Sequence, residues 1–221
     1  MRRRTYLQVT AALGTAGLAG CVVSGDGNPD VVLPEPDREV DSGDLPYPAW
    51  GERVPAVTLP APLADREVTL RALDRPQFLT FFYSHCNTVC PILVSALRNV
   101  QARALNEGYA DEVVFHPTTF DPERDDADRL RTYGEEMNVD LAAGNWEFLR
   151  PASRGRAEEV VQEQFGVAFE RTHPDDMEKY MFAHTALVVL VNGDGYVERA
   201  YRTKQPDSER LAEDLRTVRN A

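Results

Sequence analysis

The feature that most constrains this chain is the handover at "QFLTFFYSHCNTVCP", residues 77–91, where a continuous apolar run meets two cysteines and a helical pattern. An unbroken apolar run of strand length predicts a central strand buried on both faces. After it, "ILVSALRNVQARALNEG" repeats its apolar residues at helical spacing, with Pro91 suited to a first turn and Gly108 to a C-terminal cap. A buried strand feeding a helix in this way demands a sheet with helices on its faces. It also sets Cys86 and Cys90 at the strand-to-helix junction, where backbone N–H groups and the helix dipole favour a thiolate. In open α/β sheets that junction is where ligands bind.

The rest of the chain extends the pattern. "AVTLPAPLADREVTLRAL" reads as a hairpin opening the folded part near residue 54, and "EVVFHPTTF" as the next strand. "PERDDADRLRTYGEEMNV" predicts a helix beginning near Pro122, "WEFLR" a short strand, and "SRGRAEEVVQEQFGV" a helix capped by Ser153. "HTALVVLVNGDGYVERAYR" is two apolar runs about a Gly-Asp-Gly turn, a hairpin signal, and "PDSERLAEDLRTVRN" closes with an amphipathic helix. The expected fold is α/β, a central mixed sheet flanked by helices and ending in a hairpin and a helix, over residues 54–221.

Upstream lies an address. "MRRRTYLQVTAALGTAGLAGC" has a basic start, a short apolar stretch and a small-residue cleavage zone. "RRTYL" resembles a twin-arginine export signal, and "LAGC" resembles a lipobox that would leave Cys21 at the mature N-terminus for lipid attachment. Residues 1–20 are then the leader, and lipid on Cys21 holds the chain at the extracytoplasmic face of the cell membrane. Residues 21–53, dense in Gly, Pro, Ser and Asp, are expected to be a disordered acidic tether. A coil of about 30 residues reaches some 30 Å.

The formal net charge is −12, with 36 acidic residues against 24 basic ones, of which only Lys179 and Lys204 are lysines. Such a surface repels nucleic acid, which is set aside as a partner. Acid enrichment with little lysine also resembles the surfaces of salt-adapted proteins.

The residues alone leave the cysteine pair three roles. C-x-x-x-C is one residue longer than the thioredoxin redox pattern. The extra residue brings their sulfurs onto adjacent helical turns, i and i+4, on one face, able to close a disulfide or to grip a soft metal from one side. A structural staple over so short a loop adds little stability. A metal needs a further ligand, and the chain has four histidines. Strand alternation turns His85 away from Cys86, His116 lies inside the strand "VVFHPTT" as a satisfied, half-buried residue, and His173 falls in a polar loop. His184 stands where a loop feeds the sheet beside the junction. Two thiolates and an imidazole suit Cu(I) in trigonal coordination. Zinc fits less well, since its structural sites take four protein ligands.

"SHCNTVCP" followed by "TTFDPERDD", "WEFLR" and "AHTALVVLVNGDGYV" resembles the Sco/SenC family of thioredoxin-like copper proteins, from about residue 54 to 217. The resemblance implies a thioredoxin-like fold, Cu(I)/Cu(II) held by Cys86, Cys90 and His184, and Asp121 of the Asp-Pro motif near the metal. It implies a metallochaperone that helps assemble the binuclear copper centre of cytochrome c oxidase, with a copper-containing oxidase subunit as partner. Reduction of that subunit's cysteines by a Cys86–Cys90 dithiol is the alternative role, and a thioredoxin or peroxidase-like relative with a structural disulfide a third. Two departures stand out. A lipobox replaces the membrane helix of many members, and "NTV" between the cysteines lacks the acid that is frequent there.

Membrane fractionation tests the address. The wild-type chain is expected in the membrane fraction, cleaved before Cys21, whereas Cys21→Ser should be released or left uncleaved. Full membrane recovery of a correctly processed Cys21→Ser chain would refute the lipid anchor.

Overall fold

The computed structural model describes residues 28–174 and 179–221. The leader and Cys21 lie outside the described residues. The predicted central strand is β3 (Gln77–Phe82), every residue of which is buried. It pairs in parallel with β4 (Val114–Thr119), Gln77 opposite Val114, and antiparallel with β7 (Val188–Val191), Gln77 opposite Val191. β8 (Val197–Tyr201) completes the sheet antiparallel to β7, in the order β4-β3-β7-β8. The expected opening hairpin is β1 (Thr58–Ala61) and β2 (Arg66–Thr69). A mixed sheet with a parallel βαβ unit and a terminal antiparallel hairpin is the thioredoxin-like arrangement expected from the sequence.

The helices cover the sheet through aromatic contacts. Phe82 stacks on Tyr133 of α2 (Ala127–Glu136) with ring centroids 5.2 Å apart, and also meets Phe148. Phe81, its neighbour in β3 and so on the opposite face, packs on Phe165 at 4.8 Å. α1 (Val89–Glu107) links β3 to β4 and packs against α4 (Ser208–Arg219). Gly108 ends α1 at φ +79°, in the left-handed region where a glycine cap costs least.

Several elements depart from the sequence reading for identifiable reasons. α2 begins at Ala127, not near Pro122. The carboxylate of Asp126 caps it by accepting from Arg129 N–H, and the preceding turn folds inward to bury Asp125. "WEFLR" touches β4 only through isolated parallel bridges, Phe115 to Trp146 and Thr118 to Leu149. Pro117 lies between those bridges and has no N–H, so the ladder loses its middle bond. α3 (Arg154–Ala157) has the expected Ser153 cap but widens into a π-helix over Glu158–Gln164, burying the adjacent Val160 and Val161 together. The sequence reading had no counterpart for the two-stranded ribbon of β5 (Phe169–Thr172) and β6 (Met181–His184).

The tether expectation fails over residues 28–53, which fold onto the body. Leu33, Ala49 and Trp50 are buried there, and Trp50 Nε1 donates to Leu33 O at 2.7 Å. Gly51 N–H donates to Val197 O and Val197 N–H to Glu52 O, so this segment pairs with the otherwise open edge of β8. At φ +62° Gly166 admits the Pro46 carbonyl so closely that a Cβ would lie 1.7 Å from its oxygen. Polar composition hid these few buried anchors.

The two parallel strands end at one buried carboxylate. Asp125, with no solvent exposure, accepts from Ser84 N–H at 3.0 Å, from Ser84 Oγ at 2.5 Å and from the Thr119 hydroxyl. Removing it strands three donors in the interior. Asp125→Ala should therefore cost about 2–4 kcal/mol in urea unfolding, with the slope unchanged. A loss below about 0.5 kcal/mol, the size of a neutral surface change, would show that Asp125 does not tie the strands.

Candidate metal centre

Cys86 follows β3 in a turn where its N–H donates to Tyr83 O at 3.2 Å, and it lies outside α1. Cys90 is the second residue of α1. The expectation that both sulfurs share one helix face is thus corrected: the 83–88 turn folds Cys86 back over the start of α1. His184 arrives from the end of β6, opposite Phe169 of β5. Its Nε2 stands 3.2 Å from Cys90 Sγ and 4.0 Å from Cys86 Sγ. The three ligand atoms lie within 4.8 Å of one another, and both cysteines are free thiols.

The ring of His184 is held on three sides. Its Nδ1 is 3.1 Å from Thr185 O, a partner that can only accept, so Nδ1 carries the proton and the Nε2 lone pair faces the sulfurs. Tyr83 meets it edge-on at 6.1 Å, and Phe120 lies 5.2 Å away. Phe182 N–H donates to the Tyr83 hydroxyl, tying β6 to the end of β3.

Asp121 does not touch the sulfurs or His184. It is buried, accepting from Arg124 Nε at 2.5 Å and from Tyr180 OH at 2.8 Å. Arg124 in turn lies over the Tyr180 ring at 3.6 Å and donates to Tyr180 O. Asp121 therefore reaches the ribbon that carries His184 through Tyr180, four residues before it. Of the other histidines, His85 Nδ1 turns to Ser84 Oγ at 3.1 Å, and His173 is exposed near Tyr180. His116 is fully buried, between Gln77 and Glu147, and burial pushes its pKa down.

The supporting shell was not legible in the sequence. Arg129 donates to both Ser84 Oγ and Ser84 O at 2.8 Å, adding to the hold of Asp125 on the turn before Cys86. In "DPERDDAD" no spacing distinguishes Asp125 from the acids around it. Thr185 contributes a backbone carbonyl, which leaves no trace in residue type.

The two thiols are unequal. Hydrogen bonding from the Cys90 thiol first, with Thr88 Oγ1 (3.4 Å) and Cys90 N–H adding to it, outweighs burial and holds the Cys86 pKa far below the ordinary thiol range. Burial, then the neighbouring Cys86, pushes Cys90 up. Cys86 is the thiolate and Cys90 keeps its proton until a metal or an oxidant replaces it. Burial raises the Tyr83 hydroxyl to about 12, so it stays neutral beside them.

A thioredoxin-like fold carrying two cysteine sulfurs and an oriented imidazole at its strand-to-helix junction defines a soft-metal protein, with donors that suit copper. Residues 65–220 match the family model described as SCO1/SenC, and the chain belongs to that family. It is 28% identical over 140 residues to the "Protein SCO2 homolog, mitochondrial" of Danio rerio, covering 62% of this chain. The match spans 47% of that relative, about half its length. Among solved structures it is similar to Bradyrhizobium japonicum ScoI with copper bound, at 25% identity and a TM-score of 0.59 over 73% of this chain and 96% of that one. It also shares its fold with BsSco, described as a member of the Sco family of cytochrome c oxidase assembly proteins with a disulfide switch. That likeness is at 18% identity and a TM-score of 0.58, over 79% and 96% of the chains.

Alkylation reads the thiol asymmetry directly. An ordinary thiol loses nearly tenfold in rate for each pH unit below its pKa, because the thiolate is the nucleophile. In the reduced protein Cys86 should react with iodoacetamide at pH 6 nearly as fast as at pH 8, while Cys90 should not react. A tenfold fall per unit at Cys86 would contradict the assignment.

Proposed function

We propose that this protein is a membrane-tethered, extracytoplasmic copper chaperone that carries Cu(I) on Cys86, Cys90 and His184 toward the copper centre of a terminal oxidase. The observation that carries the reading is the oriented His184. A dithiol reductase needs two sulfurs and no imidazole lone pair aimed between them, whereas a three-coordinate soft-metal site needs that third donor. The copper-bound ScoI relative and the oxidase-assembly description of BsSco support copper as cargo and the oxidase as destination. Lipid on Cys21 supplies the anchor. No described helix is long and apolar enough to cross a membrane. Reduction of the partner's cysteines by the free Cys86–Cys90 dithiol is a second activity of the same residues, favoured by the low pKa of Cys86.

Removing the imidazole separates the roles. His184→Ala should lose at least 10–100-fold in Cu(I) affinity, the range found when only a ligand's supporting partner is lost, measured by competition with a Cu(I) chelator. The Cys86–Cys90 disulfide should still form and reduce in that variant. Equal copper affinity in wild type and variant would overturn the site. Loss of copper binding with undiminished oxidase assembly in cells would leave the reductase role in its place.

A further inference from the structure

Glu198 of β8 is fully buried, and among the described residues no cation pairs with it. Its carboxylate is instead satisfied by N–H groups, mostly from the upstream segment. Val32 N–H donates at 2.9 Å and Leu33 N–H at 2.8 Å, while Asn192 Nδ2 donates at 2.7 Å. The same Asn192 amide donates to Asp30 O at 2.9 Å, and Arg199 to Pro34 O at 3.1 Å. A buried carboxylate without a cation is stable only with such donors, so lifting residues 28–34 would leave a charge unsatisfied. The segment is therefore latched to the body.

The latch lies at a definite place. Asn192 follows Val191, which pairs with Gln77 at the start of β3, while the metal ligands gather beyond Phe82 at its end. Five steps of strand separate those ends, about 17 Å. Chain leaving the body at Asn28 thus emerges at the pole opposite Cys86, Cys90 and His184. From Cys21 only residues 21–27 precede the latch, a span of at most ~25 Å even fully extended.

We propose that residues 28–53 are a strap, latched by Glu198, that fixes the polarity of the protein at the membrane. The pole bearing Asn192 faces the bilayer and the metal centre faces away from it. The partner is then a protein domain that offers its metal-accepting face above the membrane surface, not at it. This orientation rests on the anchor at Cys21 proposed above.

The test fixes the anchor chemically, so its result does not depend on whether cells attach lipid. The full-length chain carrying Cys86→Ser and Cys90→Ser is coupled through Cys21 to maleimide-lipid in phosphatidylcholine vesicles containing an acceptor dye. A donor dye is clicked to p-azidophenylalanine placed either at Asn87, beside the metal ligands, or at Asp194, in the turn of the opposite pole; both positions are exposed. Quenching should be strong at 194 and weak at 87. Glu198→Ala should abolish the difference and lower hydrogen-exchange protection of the Val32 and Leu33 amides by at least ~tenfold, the loss expected for bonds to a charged acceptor. If Glu198→Ala does not fold, Val32→Pro removes one latch donor without touching the body and should narrow the quenching difference and lower the protection of the Leu33 amide. Equal quenching at the two positions, or a difference that survives the folded latch variant with protection intact, would overturn the proposal. Failure of Cys21→Ser to leave the membrane fraction would instead refute the lipid anchor alone.

Discussion

The metal centre depends on a carboxylate that never touches it. Asp125 is sealed from solvent and draws together Ser84, at the end of β3, and Thr119, at the end of β4. Those are the neighbouring parallel strands whose ends frame the centre. Arg129 grips the same Ser84 from outside, through its hydroxyl and its carbonyl. The turn that begins there has one geometry because a buried carboxylate holding several donors has few alternatives. Cys86 rides on that turn two residues later.

A second constraint acts on the histidine. His184 ends a ribbon that belongs to no large sheet, so its position must be imposed from outside. Tyr83 ties β6 to the central strand, and Asp121 with Arg124 clamps Tyr180 at the ribbon's start. Thr185 then sets the tautomer. Sulfurs and imidazole thus come from separate scaffolds joined by buried polar contacts. The chain's own contacts bring the three donor atoms together, and a metal bound there would displace the Cys90 proton. Half-buried and soft, the site suits copper.

The fold was legible wherever one residue type had one job. β3 announced itself as an apolar run, and Gly108 and Ser153 marked helix ends as expected. The gathering of Cys86, Cys90 and His184 was legible because cysteine and histidine are scarce and their chemistry is specific. What stayed hidden was set by tertiary contacts. Pro117 broke a ladder that "WEFLR" otherwise promised to complete. Asp125 was one acid among several in "DPERDDAD". The strap read as tether because its anchoring bonds are backbone N–H groups offered to Glu198, and backbone is silent in composition.

The central claim is that one chain binds one Cu(I) through two sulfurs and one imidazole. X-ray absorption at the copper edge tests it most directly, on the reduced full chain loaded anaerobically with one equivalent of Cu(I). The account predicts two sulfur scatterers and one nitrogen with the outer-shell signature of an imidazole ring, unchanged by dilution. A shell of sulfur alone, or a copper–copper vector from a cluster shared between chains, would contradict it.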